Sequence, residues 1–291
     1  MMRAAPLAWF FLLVVSSPGL CQTPPPDSSP IEPDRPDVTN GPHLVDIGLL
    51  QIEMGGLYAH VAAARHAFGT PLMARVGMTE WFEIRFGTDG VLTQIDEAGR
   101  ATGLGNIQLG AKLRLRADRA GVPVLSVLPT VNLPTASAEK GLGSGDADYT
   151  VALLAGTDVG RHGHVDVNYG IGAIGVGRAD PHFIQHLVSV SASAAVSDSW
   201  NPYVEGFWIS REDPDGRTVA AIDAGAIYQV GARCALDGGV QIGVTRSAPI
   251  LAAFGGFSIV VGDVLGTRGV QARQRQARKR AARRAARFSS L

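Results

Sequence analysis

The sequence predicts an all-β protein built as one antiparallel transmembrane β-barrel of about 12 strands. Between residues 44 and 262, apolar and polar residues alternate with period two, as they do on a strand with two different faces. Most of these runs are about 9–14 residues long, enough for a tilted strand to cross a bilayer. Short turns alternate with generally longer loops, which is the asymmetry typical of outer-membrane barrels.

The composition excludes several other classes of protein. Of the 291 residues, 46% are hydrophobic and 18% are charged, so apolar content is too high and net charge too low for a disordered chain. Two cysteines are too few for a disulfide scaffold. The 26 basic and 26 acidic residues cancel, but nine of the basic ones lie in residues 267–291, which contain no acid. The remainder of the chain is therefore acidic, and its tail is basic.

Residues 1–22 have the order of a secretory signal peptide. Arg3 precedes the apolar run from Leu7 to Val15, and small residues follow up to Cys21. No later segment reaches the roughly 18 consecutive apolar residues that a membrane helix needs. The sequence thus predicts export to the outer membrane without a helical anchor.

Residues 23–43 form a proline-rich acidic linker with seven prolines. Such a composition predicts an extended spacer without a core, and a proline-recognition ligand is the less favoured alternative. The barrel is expected to follow over residues 44–262, and residues 263–291 are expected to form a basic Ala/Arg-rich tail. That tail has basic residues on every helical face, so we expect a solvated helix or a disordered segment on the periplasmic side.

The strand from Ile107 to Arg116 illustrates the alternation, with Leu109, Ala111 and Leu113 on one face and Lys112 on the other. Twelve such runs are predicted, near residues 46–58, 71–78, 81–88, 104–117, 122–133, 147–157, 164–176, 183–197, 202–210, 218–228, 233–245 and 250–261. The competing interpretation is a soluble protein of two β-sandwich domains. Sandwich strands are shorter and their solvent face is densely charged, whereas many polar-face positions here are glycine, serine or asparagine. Closure into a barrel also removes sheet edges, as a bilayer requires.

The strand register turns the polar face inward and predicts the residues of the lumen. Its lumen-lining and constriction residues are Arg75, Glu83, Arg85, Lys112, Arg114, Glu205, Asp223 and Asp237. Glu53, Asp148, Asp166 and Arg116 share the inward face. The basic residues come from neighbouring early strands and most of the acidic ones from later strands, so a transverse field is expected. Two interpretations remain open: a packed salt-bridge network that fills the barrel, and a pore with a polar constriction.

Other chemistry is weakly supported. His162 and His164 lie at a predicted turn without carboxylate or cysteine at ligand spacing, so no metal site is expected. His186 should face away from Ser189 and its serine neighbours, which disfavours nucleophilic catalysis, and we expect no enzyme. The glycine-rich stretch 141–145 has no following lysine or helix start, so it is interpreted as a surface loop. No cofactor is expected.

Several motifs, taken in order over residues 35–261, resemble the outer-membrane β-barrel family of transporters of the phenol-degradation meta-pathway (MetA-pathway) type. They are Arg35 to Thr39, Leu50 to Gly55, Thr70 to Arg85, Gly103 to Lys112, Leu125 to Thr135, Tyr203 to Glu205 and Ala235 to Asp237. The sequence departs from the family at Asn106, where aspartate is usual, and at the last strand, which ends without a terminal aromatic residue. The resemblance implies an outer-membrane barrel with a transport-like role but names no substrate.

We therefore expect a passive outer-membrane channel or transporter for small hydrophobic or aromatic solutes. The alternative is a closed structural barrel that acts through its outer loops or basic tail. The expected partners are outer-membrane lipid, a small-molecule solute and the outer-membrane assembly machinery. Nucleic acid is not expected, because the chain is exported.

Overall fold

The computed structural model describes residues 31–35, 38–62, 65–117, 122–177 and 182–266. These residues form one sheet of fifteen strands. The strands are β1 Leu49–Ala62, β2 Arg65–Gly69, β3 Leu72–Gly77, β4 Phe82–Thr88, β5 Val91–Asp96, β6 Gly99–Leu104, β7 Ile107–Arg116, β8 Val124–Leu133, β9 Asp148–Val159, β10 Gly163–Ile174, β11 Phe183–Ala194, β12 Trp200–Ile209, β13 Val219–Gly231, β14 Cys234–Gly243 and β15 Leu251–Asp263.

Twelve of these strands close into an antiparallel barrel. The hydrogen-bonded order runs from β15 back to β7 and then through β4 and β3 to β1. The barrel closes because β1 pairs with β15, from Leu49 opposite Asp263 to His60 opposite Leu251. This closure satisfies the backbone groups that an open edge would expose to lipid. The predicted fold class is confirmed, and each of the twelve predicted runs corresponds to one barrel strand.

Three short strands, β2, β5 and β6, lie between the predicted runs, where the sequence pattern predicts longer loops, and they correct that prediction. The last residues of β1 pair with β2, from Leu57 opposite Gly69 to Ala62 opposite Arg65. Strand β2 then pairs with β5, and β5 with β6. Because β1 is longer than its pairing with β3, its free end supports this small extension at the long-loop end of the barrel. Strands β2 and β6 each contain one large apolar residue, Phe68 and Leu104, which is too few for a period-two signal.

The outward face of the barrel is an apolar band. Exposed side chains on this face include Ile84, Phe86, Leu109, Val151, Leu153, Val190, Val204, Ile222 and Ile242. Aromatic residues mark both rims: Trp81, Trp200 and Tyr228 near the short turns, and Tyr149 and Trp208 near the longer loops. An apolar band between aromatic girdles is the lipid-facing surface of an outer-membrane barrel.

The predicted signal peptide, residues 1–22, lies outside the described residues, as does the tail from residue 267. Within the described ranges, no helix has the length and apolarity of a membrane span.

Candidate functional site

The predicted lumen residues lie on the inward face of the barrel. Arg75, Glu83 and Lys112 are at most 1% exposed. Arg85, Glu205, Asp223 and the carboxylate of Asp237 are also buried, whereas Arg114 is half-buried. Their strand neighbours on either side face outward, because successive side chains of a strand point to opposite faces.

The early strands bring five of the inward-facing residues together in one group, which we call the Arg75 cluster: Glu53, Arg75, Glu83, Arg85 and Lys112. The Arg75 guanidinium donates to Glu53 through Nη1 at 2.8 Å and to Glu83 through Nε at 2.9 Å. Arg85 lies opposite Arg75 on the neighbouring strand, and Lys112 lies opposite Glu83. Strand register therefore determines the composition of this cluster.

The later strands carry a second group, the acidic wall: Glu205, Asp223 and Asp237. Glu205 and Asp223 are directly opposite each other on β12 and β13. Asp237 lies on the next strand, β14. Among the described residues, the ion pairs of the Arg75 cluster and of the acidic wall do not join the two groups directly.

The two groups are connected by the N-terminal segment, residues 31–35 and 38–45, which lies inside the barrel. This finding corrects the interpretation of residues 23–43 as a spacer without a core, as far as those residues are described. Asp34 is 7% exposed and sits in the Arg75 cluster. Its Oδ2 accepts from Lys112 Nζ at 2.7 Å and from Arg85 Nη1 at 2.5 Å, and its Oδ1 lies 3.5 Å from Arg75 Nη1.

The same segment satisfies part of the acidic wall. Arg35 Nη2 donates to Asp237 at 3.2 Å. The backbone amides of Val38 and Thr39 donate to Glu205 at 2.9 and 2.6 Å, and the Thr39 hydroxyl also bonds to this carboxylate. Glu205 and Asp237, which would be costly to bury alone, are thus paired or hydrogen-bonded by the segment.

The segment returns to the wall through backbone contacts. Lys112 Nζ donates to the carbonyl of Gly41 at 2.7 Å, and Ser126 Oγ to that of Pro42 at 2.6 Å. The amide of Val45 donates to Glu83 at 2.7 Å. The chain then enters β1 four residues later.

Glycines in the wall make room for this segment. A Cβ at Gly156 on β9 would lie 2.8 Å from the Pro42 ring, and one at Gly256 on β15 would lie 2.8 Å from the Arg35 guanidinium. Both glycines are on the inward face. The close approach of the segment to the wall therefore depends on positions without a side chain.

Sequence reasoning missed Asp34, Arg35 and Thr39 as lumen residues. The high proline content favoured a free spacer, although Arg35 and Thr39 belong to the first motif of the family resemblance. A second signal was the surplus of charged residues on the inward face, which required partners from elsewhere in the chain.

A cavity of about 580 Å³ remains between the segment and the wall. It is lined in part by Arg114, Asp158, His164, Asp166, Ser193 and Gln229. Several of these residues lie at strand ends that meet the short turns, so the cavity is at that end of the lumen. The N-terminal segment therefore leaves part of the lumen open.

The other sequence candidates are dispersed. His186 bonds to the Tyr169 hydroxyl at 3.0 Å on the outward face, whereas Ser189 is buried on the inward face. His164, expected to be solvated, instead contacts Asp158 at 2.7 Å and Asp166 at 3.2 Å. Across the described part of the chain, no three histidine, cysteine or acidic side chains are grouped as a metal would require.

Comparison with solved structures finds other outer-membrane barrels. The COG4313 outer membrane channel from Pseudomonas putida F1 is 12% identical, with a TM-score of 0.60 over 82% of this chain and 100% of that one. The NanC porin is 8% identical, with a TM-score of 0.52 over 72% of this chain and 98% of that one. At these identities the likeness establishes the fold alone.

No curated protein matches the chain in sequence. A family profile does match, over residues 33–259, which is more than half of the chain and includes both the lumen segment from Pro33 and the barrel strands up to Ile259. The chain therefore belongs to the family described as "Putative MetA-pathway of phenol degradation".

Proposed function

We propose that this protein is a passive channel that lets small hydrophobic or aromatic solutes cross the outer membrane. The observation that carries the proposal is the way the lumen is closed. Over residues 32–35 and 38–45, the N-terminal segment pairs with no strand of the barrel, and each of its hydrogen bonds to the wall involves at least one side chain. Its departure would leave the hydrogen-bonded wall of the barrel complete.

The size and lining of the lumen support a small solute. The cavity of about 580 Å³ falls within the range of sites that bind small molecules. Gly110, Gly170, Gly239 and Ser191 on the inward face leave room beside the charged side chains. The description of the family in terms of phenol degradation supports an aromatic solute. Passive passage is proposed because the sequence contains no nucleotide-binding motif.

A second candidate is a closed structural barrel that acts through its outer loops or its basic tail. The ion pairs that Asp34 and Arg35 make with opposite sides of the lumen favour it, because they hold the segment in place. The two candidates differ in whether the segment ever leaves the lumen.

Single-channel recording of the refolded full-length protein in a planar bilayer separates them. The test compares the wild type with the double variant Asp34→Ala/Arg35→Ala, which removes the ion pairs of Asp34 and Arg35 with the wall without changing the wall. We expect conductance steps in the wild type and more frequent ones in the variant. Catechol, a neutral aromatic solute, should reduce the current more than equimolar glycerol. If neither form conducts, the structural barrel is the better account.

A further inference from the structure

We infer that the lumen contains a carboxylate-binding site formed by Arg75, Arg85 and Lys112, and that Asp34 occupies it where a carboxylate-bearing solute would bind. This inference rests on the proposed channel function and narrows its solute class. Among small aromatic solutes, those that carry a carboxylate would then bind more tightly than neutral ones.

The charge balance of the Arg75 cluster is the first argument. The wall supplies three cations, Arg75, Arg85 and Lys112, and two carboxylates, Glu53 and Glu83. All five side chains are buried. The wall alone therefore carries one positive charge in excess, and the carboxylate of Asp34 balances it.

The geometry shows where the excess lies. Arg75 is paired with both wall carboxylates, at 2.8 and 2.9 Å. Arg85 is 3.9 Å from Glu83 but only 2.5 Å from Asp34. Among the described residues, the carboxylate in ion-pair contact with Lys112 is that of Asp34, at 2.7 Å. Arg85 and Lys112 thus converge on a single oxygen that the segment, and not the wall, provides.

The chemistry of the donors favours a carboxylate. A guanidinium and an ammonium reach Oδ2, and a second guanidinium lies beside Oδ1, so the site addresses both oxygens of one planar anion. One negative charge neutralises the cluster, whereas a doubly charged phosphate would leave a buried negative excess. A segment that leaves the lumen would expose a positively charged site that fits one carboxylate.

A free anion can take this place because a buried cation without a partner is costly. If the segment withdraws, Lys112 loses Asp34 together with the carbonyl of Gly41. A solute carboxylate that binds only the vacated site shifts the population toward the state without the segment. Binding of such a solute and release of the segment are then coupled.

The test uses the full-length refolded protein carrying Asp34→Ala, which leaves a vacancy the size of a carboxyl group while keeping the three cations. Calorimetric titration with sodium acetate, in detergent and at constant chloride, measures binding. Acetamide is the matched neutral probe. We expect acetate to bind Asp34→Ala at least tenfold more tightly than it binds the wild type, with one site per chain, and acetamide not to bind. Adding Lys112→Gln to Asp34→Ala should remove this gain, whereas adding Asp198→Ala, an exposed carboxylate in the turn between β11 and β12, should not.

The inference is overturned if Asp34→Ala folds and binds acetate no better than the wild type does. If Asp34→Ala does not fold in chloride, recovery of the heat-modifiable form on refolding in acetate supports the site, and failure to recover overturns it. Conductance is scored separately. Acetate binding without conductance would support the carboxylate site and contradict the channel. Conductance without acetate binding would support the channel and contradict the carboxylate site.

Discussion

The carboxylate of Asp34 lies 2.7 Å from the ammonium of Lys112, a residue 78 positions later in the chain on β7. Both groups are buried inside the barrel. Through this contact, the N-terminal segment, which has the composition of a linker, becomes part of the folded interior. The contact also links the stability of the barrel to the occupancy of its lumen.

Replacing Asp34 with alanine should destabilise the full-length barrel. Breaking a buried ion pair by removing one partner costs about 3–5 kcal/mol, and less where water or chloride enters. The measurement is the midpoint temperature at which the heat-modifiable folded form is lost on a detergent gel. Asp198→Ala is the control, because that carboxylate is exposed in the turn between β11 and β12. An unchanged midpoint for Asp34→Ala would contradict the burial of Asp34.

Arg35 and Asp237 should be energetically coupled. A hydrogen bond to a charged partner contributes about 1.5–3 kcal/mol, and this one spans 3.2 Å with the carboxylate buried. A double-mutant cycle of Arg35→Ala and Asp237→Asn in urea unfolding measures the coupling. Additive effects would show that the segment does not anchor to the acidic wall in solution.

Gly156→Ala should weaken docking of the segment. The added Cβ would meet the Pro42 ring at 2.8 Å and would also crowd Asp166. Overpacking of this kind costs about 1–3 kcal/mol, and we expect more frequent opening in single-channel recordings. Gly206→Ala is the matched control, since a Cβ there has no neighbour within 4 Å. Equal opening frequencies in the two variants would refute the contact.

Lys112→Glu should shift the ion preference of the open lumen toward cations. A single charge in a narrow, poorly screened lumen has a large effect on passing ions. The new carboxylate would also repel Asp34, so opening should become more frequent. Reversal potentials in a potassium chloride gradient measure the preference. Arg116→Glu, at an exposed strand end, should change it much less, and equal shifts would place the constriction elsewhere.

Truncation after Gly266 should leave the barrel assembled. Every residue of β15 that pairs with β1 precedes this point, and the last of them is Asp263, opposite Leu49. The truncation removes residues 267–291 of the predicted tail and keeps every strand pairing of the described barrel. Heat-modifiable migration of the truncated protein should match that of the full chain. Loss of the folded form would give the tail a role in folding.

The barrel could be predicted because period-two alternation is a local property of the sequence. The alternation seen in Ile107–Arg116 repeats in twelve runs. In each run, the polar face identifies the side of the strand that points into the lumen. The same parity placed Arg75, Glu83 and Lys112 on the inward face before their contacts were known. Strands β2 and β6 were missed because each contains a single large apolar residue. Strand β5 was missed because its first four residues, two apolar and then two polar, do not alternate.

The sequence by itself determined the number of barrel strands, their facing and the separation of basic from acidic residues around the lumen. These properties follow from period-two alternation and from the order of residues along the chain. Only the tertiary structure decided that Asp34 and Arg35 fill the lumen and join its two charged sides. The physical reason is that their partners lie 78 and 202 residues away, and no local pattern encodes which distant charge neutralises which. Closure of the barrel surrounds the segment with a wall whose buried charges need partners, and the segment supplies them.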